Sequence, residues 1–546
     1  MLGRSHNHKS WTSPSSDCQA SYELARQWIF TCEGTHRNCN ALRRIQTQRK
    51  LPTRLVDLGD DRNYRKPRLC ITEGLPLDTA YITLSHCWGG QTPLQLRKDN
   101  FESFTEGMEI SQVPKSFRDA LKVVAKLKVR YLWIDSLCII QDSTEDWQRE
   151  ASLMSDVYTN SWCNIAATKA LDGRDGCFAE RTLLDISQCV IEAEWDSHPS
   201  QTYVCWIPNI WDHAIDNQKL LQRAWVTQEM VLSPRVLHFS EHQMLWECLE
   251  LRVCETFPLG IPRNKGTKLS SHTYSLRHDL IKYEDPMRQR LALWGRYLHE
   301  YTRCFLTFPE KDKLVAVSGL ARKLGPGDDY CAGLWRQDLA GQLMWSVAKA
   351  ERPSTKAPER NPRAPSWSWA SVNGPVSMEI ISMGTNLNNL IKMVTIDVEH
   401  ETRDPFGQVR GGRLQIEGPL IKTTLRCCIP NDRMEYRNKH WLGDSLAIIM
   451  PDLEDFEDGS EVRCLPIHWI PNGYPAVYGL LVEPTHRMKG EYRRIGRFAV
   501  APFNVEAQSV DNFLARRRFR LPGLEWEECL GQDNEDKAYQ YRFSLA

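Results

Sequence analysis

The chain has 546 residues, and because a single hydrophobic core stops growing at roughly 250 to 300 residues, two or three domains are expected. Lysine plus arginine and aspartate plus glutamate number 69 each, which leaves no long-range field to draw the chain to nucleic acid or anionic lipid. The composition, 41% hydrophobic and 25% charged with 19 tryptophans, is that of a globular protein with large cores, and disorder is expected only at the extreme N-terminus.

The polar start carries no apolar leader, and no run of about 18 apolar residues occurs, so no membrane span and a cytoplasmic location are expected. The 18 cysteines are scattered singly and read as free thiols packed as small hydrophobes.

Residues 1–18 read as a loose tail, and 19–80 as a helical and extended lead-in. Within it, 19–33 read as a helix with Leu24, Trp28 and Phe30 on one side. Cys32, His36 and Cys39 follow at short spacing. Zinc would need a fourth ligand, for which Cys18 and Cys70 are the candidates; local packing and capping are the competing reading, and no metal is assigned.

From residue 81 strands and helices alternate, the signature of a parallel sheet covered on both faces. YITLSH is a short buried strand that runs into polar residues and a Gly-Gly turn. Pro114 then opens a helix carrying Phe117, Leu121, Val124 and Leu127 at helical spacing. YLWID at 131–135 is the second strand, Ser143 with Asp146 opens a second helix, and WCNIAAT at 162–168 is the third strand. An insertion at 170–218 precedes the helix LLQRAWVTQEMVL, which Pro234 stops at Ser233, and the fourth strand RVLHFS. This order predicts a doubly wound, flavodoxin-like α/β unit over 81–240, with ligands at the carboxyl ends of the strands.

Residues 241–365 read as a helical extension, in which DKLVAVSGLARKLG breaks at its glycines and LWRQDLAGQLMWSVAK forms another helix. The Pro-rich, basic stretch 351–366 marks a boundary, and 366–546 a β-rich C-terminal domain. Two basic clusters, Arg493, Arg494 and Arg497, then Arg516, Arg517, Arg518 and Arg520, read as solvated faces.

Polar side chains gather where these elements end: Ser85, His86, Asp135 and Glu229. A hydrolase relay is set aside, because neighbours on a strand face opposite ways and no GxSxG elbow is present. Walker, GxGxxG and HExxH motifs are likewise missing. Glu229 lies one helical turn after Trp225, near the inward face of its helix, where it needs a partner; the structural reading pairs it with Arg223 or Arg235. Trp88 and Trp133 read first as core indoles, and Asp135 as a cap on a strand end.

Together YITLSHCWGG at 81–90, LWIDSLCIIQD at 132–142 with Met154 and Tyr158 downstream, and RAWVTQE at 223–229 resemble the HET domain of fungal heterokaryon incompatibility proteins. PTRLVDLG at 52–59, DKLVAVSGLA at 312–321 and APSWSWASVNG at 364–374 look like further segments of long HET proteins. The resemblance implies a cytosolic fungal protein of non-self recognition and programmed cell death, with an unknown protein partner and self-association. HET domains are also distantly similar to Toll/interleukin receptor (TIR) domains, and the offset from Trp225 to Glu229 echoes the TIR pattern W-C-x-x-E. That similarity implies a TIR-like NAD glycohydrolase in which Glu229 is catalytic, Ser85, His86, Trp88, Asp135 and Trp225 line the nucleotide cleft, and NAD is substrate with no resident cofactor. The rival expectation is a non-enzymatic adaptor that self-associates through the HET domain.

Overall fold

The computed structural model describes residues 13–45, 50–90, 94–195, 198–205, 210–261, 286–348, 363–378, 388–427, 439–442, 445–453, 456–470, 476–500, 525–526 and 541–545. They fall into two compact units, Met1–Glu284 and Asp285–Ala546. The basic cluster at 516–520, most of the Pro-rich stretch and the first twelve residues lie outside the described residues.

In the first unit, helices α1 (Gln19–Thr35) and α2 (Arg37–Ile45) precede strands β1 (Arg54–Asp57), β2 (Arg68–Ile71) and β3 (Tyr81–Ser85). Then come α3 (Phe101–Glu106), α4 (Lys115–Lys126), β4 (Tyr131–Trp133), α5 (Asp135–Cys138), α6 (Thr144–Asn160) and β5 (Cys163–Ala166). The stretch 170–218 holds the short α7 (Leu183–Ile186) and a separate hairpin of β6 (Cys189–Trp195) and β7 (His198–Cys205). Helix α8 (Ala224–Leu232) leads to β8 (Arg235–Phe239), β9 (Met244–Cys248) and β10 (Arg252–Cys254).

The unit is mixed α/β: among the described residues an eight-stranded sheet runs β10-β9-β8-β5-β3-β4-β1-β2. Strands β4, β3, β5 and β8 are parallel, and antiparallel strands extend both edges. β9 and β10 occupy residues that the sequence reading gives to a helical extension. Met244, Leu245 and Trp246 are fully buried, so the apolar run continues the sheet as a hairpin on β8.

Local chemistry accounts for the element ends. Ser143 caps α6, its hydroxyl accepting the Asp146 amide at 3.4 Å, with Glu145 and Asp146 in the first turn. α8 stops at Ser233, which is extended (φ −66°, ψ 127°) before Pro234. On α1, Leu24 and Trp28 are buried as expected, but Phe30 is 78% exposed. It sits two positions past Trp28, about 200° around the helix, on the far side. The lead-in is tied to the sheet: Arg54 on β1 donates to the Cys138 carbonyl at 2.7 Å and to Asp146 at 2.5 Å, both in buried surroundings.

Period-two alternation positions the site. Tyr81, Thr83 and Ser85 share one face of β3, where the Tyr81 hydroxyl reaches the Val157 carbonyl of α6 at 2.6 Å. His86, just past the strand end, meets Phe117 of α4 edge-on, ring centroids 4.8 Å apart.

In the second unit, helices span Pro286–Tyr301 and Val315–Leu324; the latter runs through Gly319 and ends at Gly325. The helix expected over LWRQDLAGQLMWSVAK shrinks to Leu339–Gln342. Asp338 takes a left-handed conformation (φ 50°), and the buried Gln342 side chain bonds both the amide (2.9 Å) and carbonyl (2.8 Å) of Trp335 in place of a helical ladder. The indoles of Trp294, Trp335, Trp345, Trp367, Trp369 and Trp469 are fully buried. Trp294 and Trp369 both donate to the Gly333 carbonyl, at 2.9 and 2.7 Å. Gly333 has φ +95°, and a Cβ there would stand 2.5 Å from the Trp369 ring nitrogen, so no larger residue fits.

Among the described residues an eleven-stranded sheet makes the C-terminal region β-rich; the pairings described are antiparallel except where Glu491–Val500 meets Tyr541–Leu545. Of the first basic cluster only Arg493 is exposed; Arg494 and Arg497 are buried, since strand alternation turns Arg494 inward to Asp452. No helix among the described residues is long and apolar enough to cross a membrane.

Candidate functional site

Ser85 ends β3, and its hydroxyl donates to Glu229 Oε2 on α8. Ser85 Oγ in turn accepts the Asn164 side-chain amide from β5 at 2.9 Å, and the Asn164 side-chain carbonyl accepts the Thr83 hydroxyl at 2.9 Å. Register makes this arrangement possible, because Thr83 is paired with Asn164 across β3 and β5. Tyr158 of α6 completes the chain with a hydrogen bond to Glu229, its ring held edge-on by Trp133 at 5.6 Å.

Glu229 is only 5% exposed. Burial pushes its carboxyl up to about 7, with the Asp135 charge adding to the rise, while the Arg223 charge and the Ser85 and Tyr158 hydroxyls oppose it. Burial also raises Tyr158 well above the ordinary phenol value, reinforced by the Glu229 and Asp135 charges. The result is a carboxyl that exchanges its proton close to neutral pH.

A second group borders the first. Asp135, at the start of α5 with 24% of its side chain exposed, faces His86 Nδ1 at 3.8 Å. It accepts the Trp88 indole N–H at 3.2 Å and the amide of its neighbour Ser136 at 2.7 Å. Burial drives the His86 imidazole down to about 4, Arg223 acting in the same direction and Asp135 against it. Arg223 donates to the His86 carbonyl. Trp225 is half-buried and packs edge-on against Trp147 of α6, centroids 6.4 Å apart.

Residues 81–229 match the family model of the heterokaryon incompatibility protein (HET). The chain carries a HET domain. No curated protein and no solved structure matches the chain. The HET match opens on the first residue of β3 and closes on Glu229, so every member of the network from Thr83 to Glu229 lies inside it.

Of the six residues singled out in the sequence, Ser85 and Glu229 touch directly, and His86, Trp88 and Asp135 form the adjoining group. Trp225 meets α6 one turn before Glu229. The partner expected for Glu229 differs from the outcome. Arg235 is committed elsewhere, to the Trp162 carbonyl at 2.9 Å and the Cys32 sulfur at 3.3 Å, and Arg223 acts on Glu229 through its field. Hydroxyls take the place of an ion pair.

Asn164 and Thr83 are the residues that sequence reading missed. The signal was present: an Asn inside the apolar strand Cys163–Ala166 must find a hydrogen-bond partner when buried. Cys32, His36 and Cys39 converge as their spacing suggests, but the group that joins them is Cys248, not Cys18 or Cys70. Cys18 instead contacts Ser21 at 3.2 Å, and Cys70 lies half-buried on β2.

Proposed function

We propose that this HET-domain protein acts in fungal non-self recognition and the cell death that follows, and that its HET unit, once assembled into oligomers, cleaves the nicotinamide–ribose bond of NAD. The observation that carries this reading is the meeting of Glu229 with Ser85, in the field of Asp135, where the parallel strands β3 and β4 end. The parallel strands follow the spatial order β4-β3-β5-β8, which supports a doubly wound, TIR-like sheet; ligands of such sheets lie outside the carboxyl ends of the strands where the order reverses.

In this reaction the bond from ribose C1′ to the pyridinium nitrogen breaks, and its electron pair neutralises the nicotinamide. Water adds to C1′ and releases a proton, giving ADP-ribose. Positive charge develops on the ribose as the bond opens, and the Glu229 carboxylate is the group to stabilise it. Ser85 and Tyr158 hold that carboxyl in place, while Trp88 and Asp135 sit at the more exposed margin, where a nucleotide would enter. Because burial keeps Glu229 protonated up to about pH 7, opening of the site to water on assembly is the step that would charge it.

The test is nicotinamide release from NAD by the oligomerised protein. Glu229→Gln, which keeps the hydrogen-bonding shape without the charge, should lower the rate at least about 100-fold. Wild-type protein that releases no nicotinamide, with Glu229→Gln as toxic as wild type on overexpression, overturns the reading. A non-enzymatic adaptor then stands, a reading favoured by the burial of Glu229 beneath two hydroxyl partners.

A further inference from the structure

Away from that network, four side chains of the first unit meet at one point. Cys32 lies in the last turn of α1, His36 in the break after it, Cys39 in the first turn of α2, and Cys248 at the end of β9. His36 is extended (φ −83°, ψ 111°), which turns the chain so that the two helices present their ligands to one centre. One donor atom from each, three sulfurs and an imidazole nitrogen, lies within 4.8 Å of all the others. His36 Nδ1 is 3.3 Å from the Cys248 sulfur and 3.9 Å from that of Cys39. A tetrahedral zinc ion, with bonds of about 2.3 Å to sulfur and about 2.0 Å to nitrogen, has edges of roughly 3.5 to 3.8 Å. The observed separations bracket that value.

We propose that Cys32, His36, Cys39 and Cys248 bind a structural zinc ion that clamps the N-terminal helix pair to strand β9 of the sheet bearing the HET domain. Four protein ligands close the coordination shell, which distinguishes such a site from a catalytic one with an open position. The surroundings suit thiolates. Arg235 donates its Nε–H to the Cys32 sulfur at 3.3 Å, and the Leu249 amide donates to Cys39. Three thiolates and a zinc ion carry one net negative charge, and the buried Arg235 guanidinium balances it. All three thiols are free of disulfides and buried, while His36 is partly exposed and leaves a path for the ion. The clamp joins positions 212 residues apart and adds to weaker ties of α1 to the same hairpin region, the Trp28 indole to the Pro258 carbonyl at 3.0 Å and the Ser21 hydroxyl to Glu255 at 2.6 Å. Metal binding would thereby become part of the folding free energy of the unit.

Full-length protein purified under reducing conditions without added metal should contain about one zinc ion per chain by mass spectrometry of the elements. Its X-ray absorption edge should fit three sulfurs and one nitrogen, as the cluster requires. Cys39→Ser and Cys248→Ser should each lower zinc content about tenfold or more, His36→Cys should retain it, and Cys18→Ser and Cys70→Ser should match wild type. Where a ligand variant does not fold, the wild-type zinc content and absorption fit decide alone. Wild-type protein with less than about a tenth of an equivalent of zinc, a disulfide among the three cysteines, or full zinc retention in Cys248→Ser would overturn the proposal.

Discussion

Glu229 in the first unit and Arg494 in the second are both buried ionisable side chains, and the protein treats them in opposite ways. Arg494 is fully enclosed: it grips Asp452 with two bonds of 2.9 Å, donates to the carbonyls of Leu343 and Trp345 at 2.5 Å each, and stacks 3.4 Å over the Trp345 ring. Its charge is matched by an opposite charge, and each of its three nitrogens has an acceptor. Glu229 is held by the hydroxyls of Ser85 and Tyr158, with Arg223 acting only through space, and its carboxyl is left near 7. A charge with an opposite charge and fixed acceptors belongs to the architecture; a carboxyl that burial poises near neutrality, with no ion-pair contact, can change its charge state, as chemistry or switching requires.

The sharpest way to break this contrast is Arg494→Met. It strands the buried Asp452 carboxylate, and chemical denaturation should show a loss of about 3 to 5 kcal/mol. A loss under about 1 kcal/mol would mean that the pair is no more than a surface contact in energetic terms.

Glu229→Gln should act in the reverse sense. Because the folded-state value lies near 7 and the ordinary value is 4.5, the folded chain holds a proton that the unfolded chain has lost between those pH values. Stability from this group therefore falls as pH rises through that window, and at pH 8 the Gln variant should be more stable by up to ~3 kcal/mol, with no gain at pH 4. His86 gives the opposite slope. Its value is lowered from 6.5 to about 4, so the unfolded chain gains a proton first and stability is lost as pH falls through that window. Between about 4.5 and 6.5 the two effects nearly cancel in the wild type. Thermal denaturation from pH 4.5 to 6.5 should be nearly flat in these contributions, with Glu229→Gln exposing a rise of stability with pH and His86→Phe exposing a fall. Parallel pH profiles for all three proteins would reject the assignment.

The smallest expected effect is that of Ser85→Ala. It removes one hydrogen bond to Glu229 and the acceptor of Asn164, a loss of about 1 to 3 kcal/mol, and it should move the Glu229 titration further up. An unchanged Glu229 titration by NMR would place Ser85 outside the network.

Much of the local structure was legible in the chain. Pro234 ended α8, Ser143 capped α6, and the apolar runs of the four parallel strands stood out, because caps, proline and side-chain period act over a few residues. The polar residues at the strand ends were visible for the same reason. Phe30 and the shortened helix at Leu339–Gln342 escaped, the first through a miscounted helical face and the second through a side chain, Gln342, that satisfied the backbone in place of a ladder. The inward turn of Arg494 escaped too, since a run of arginines looks solvated until its acceptors are known.

The sequence alone placed polar side chains where the parallel strands end and set the helix ends at Ser143 and Pro234, since those properties reside in the side chain and its near neighbours. Only the tertiary structure decided that Ser85 meets Glu229 across 144 residues and Asn164 across 79, and that Cys248 joins His36 across 212. Such partners are set by the lateral order of the strands and the register between them, which no local period encodes.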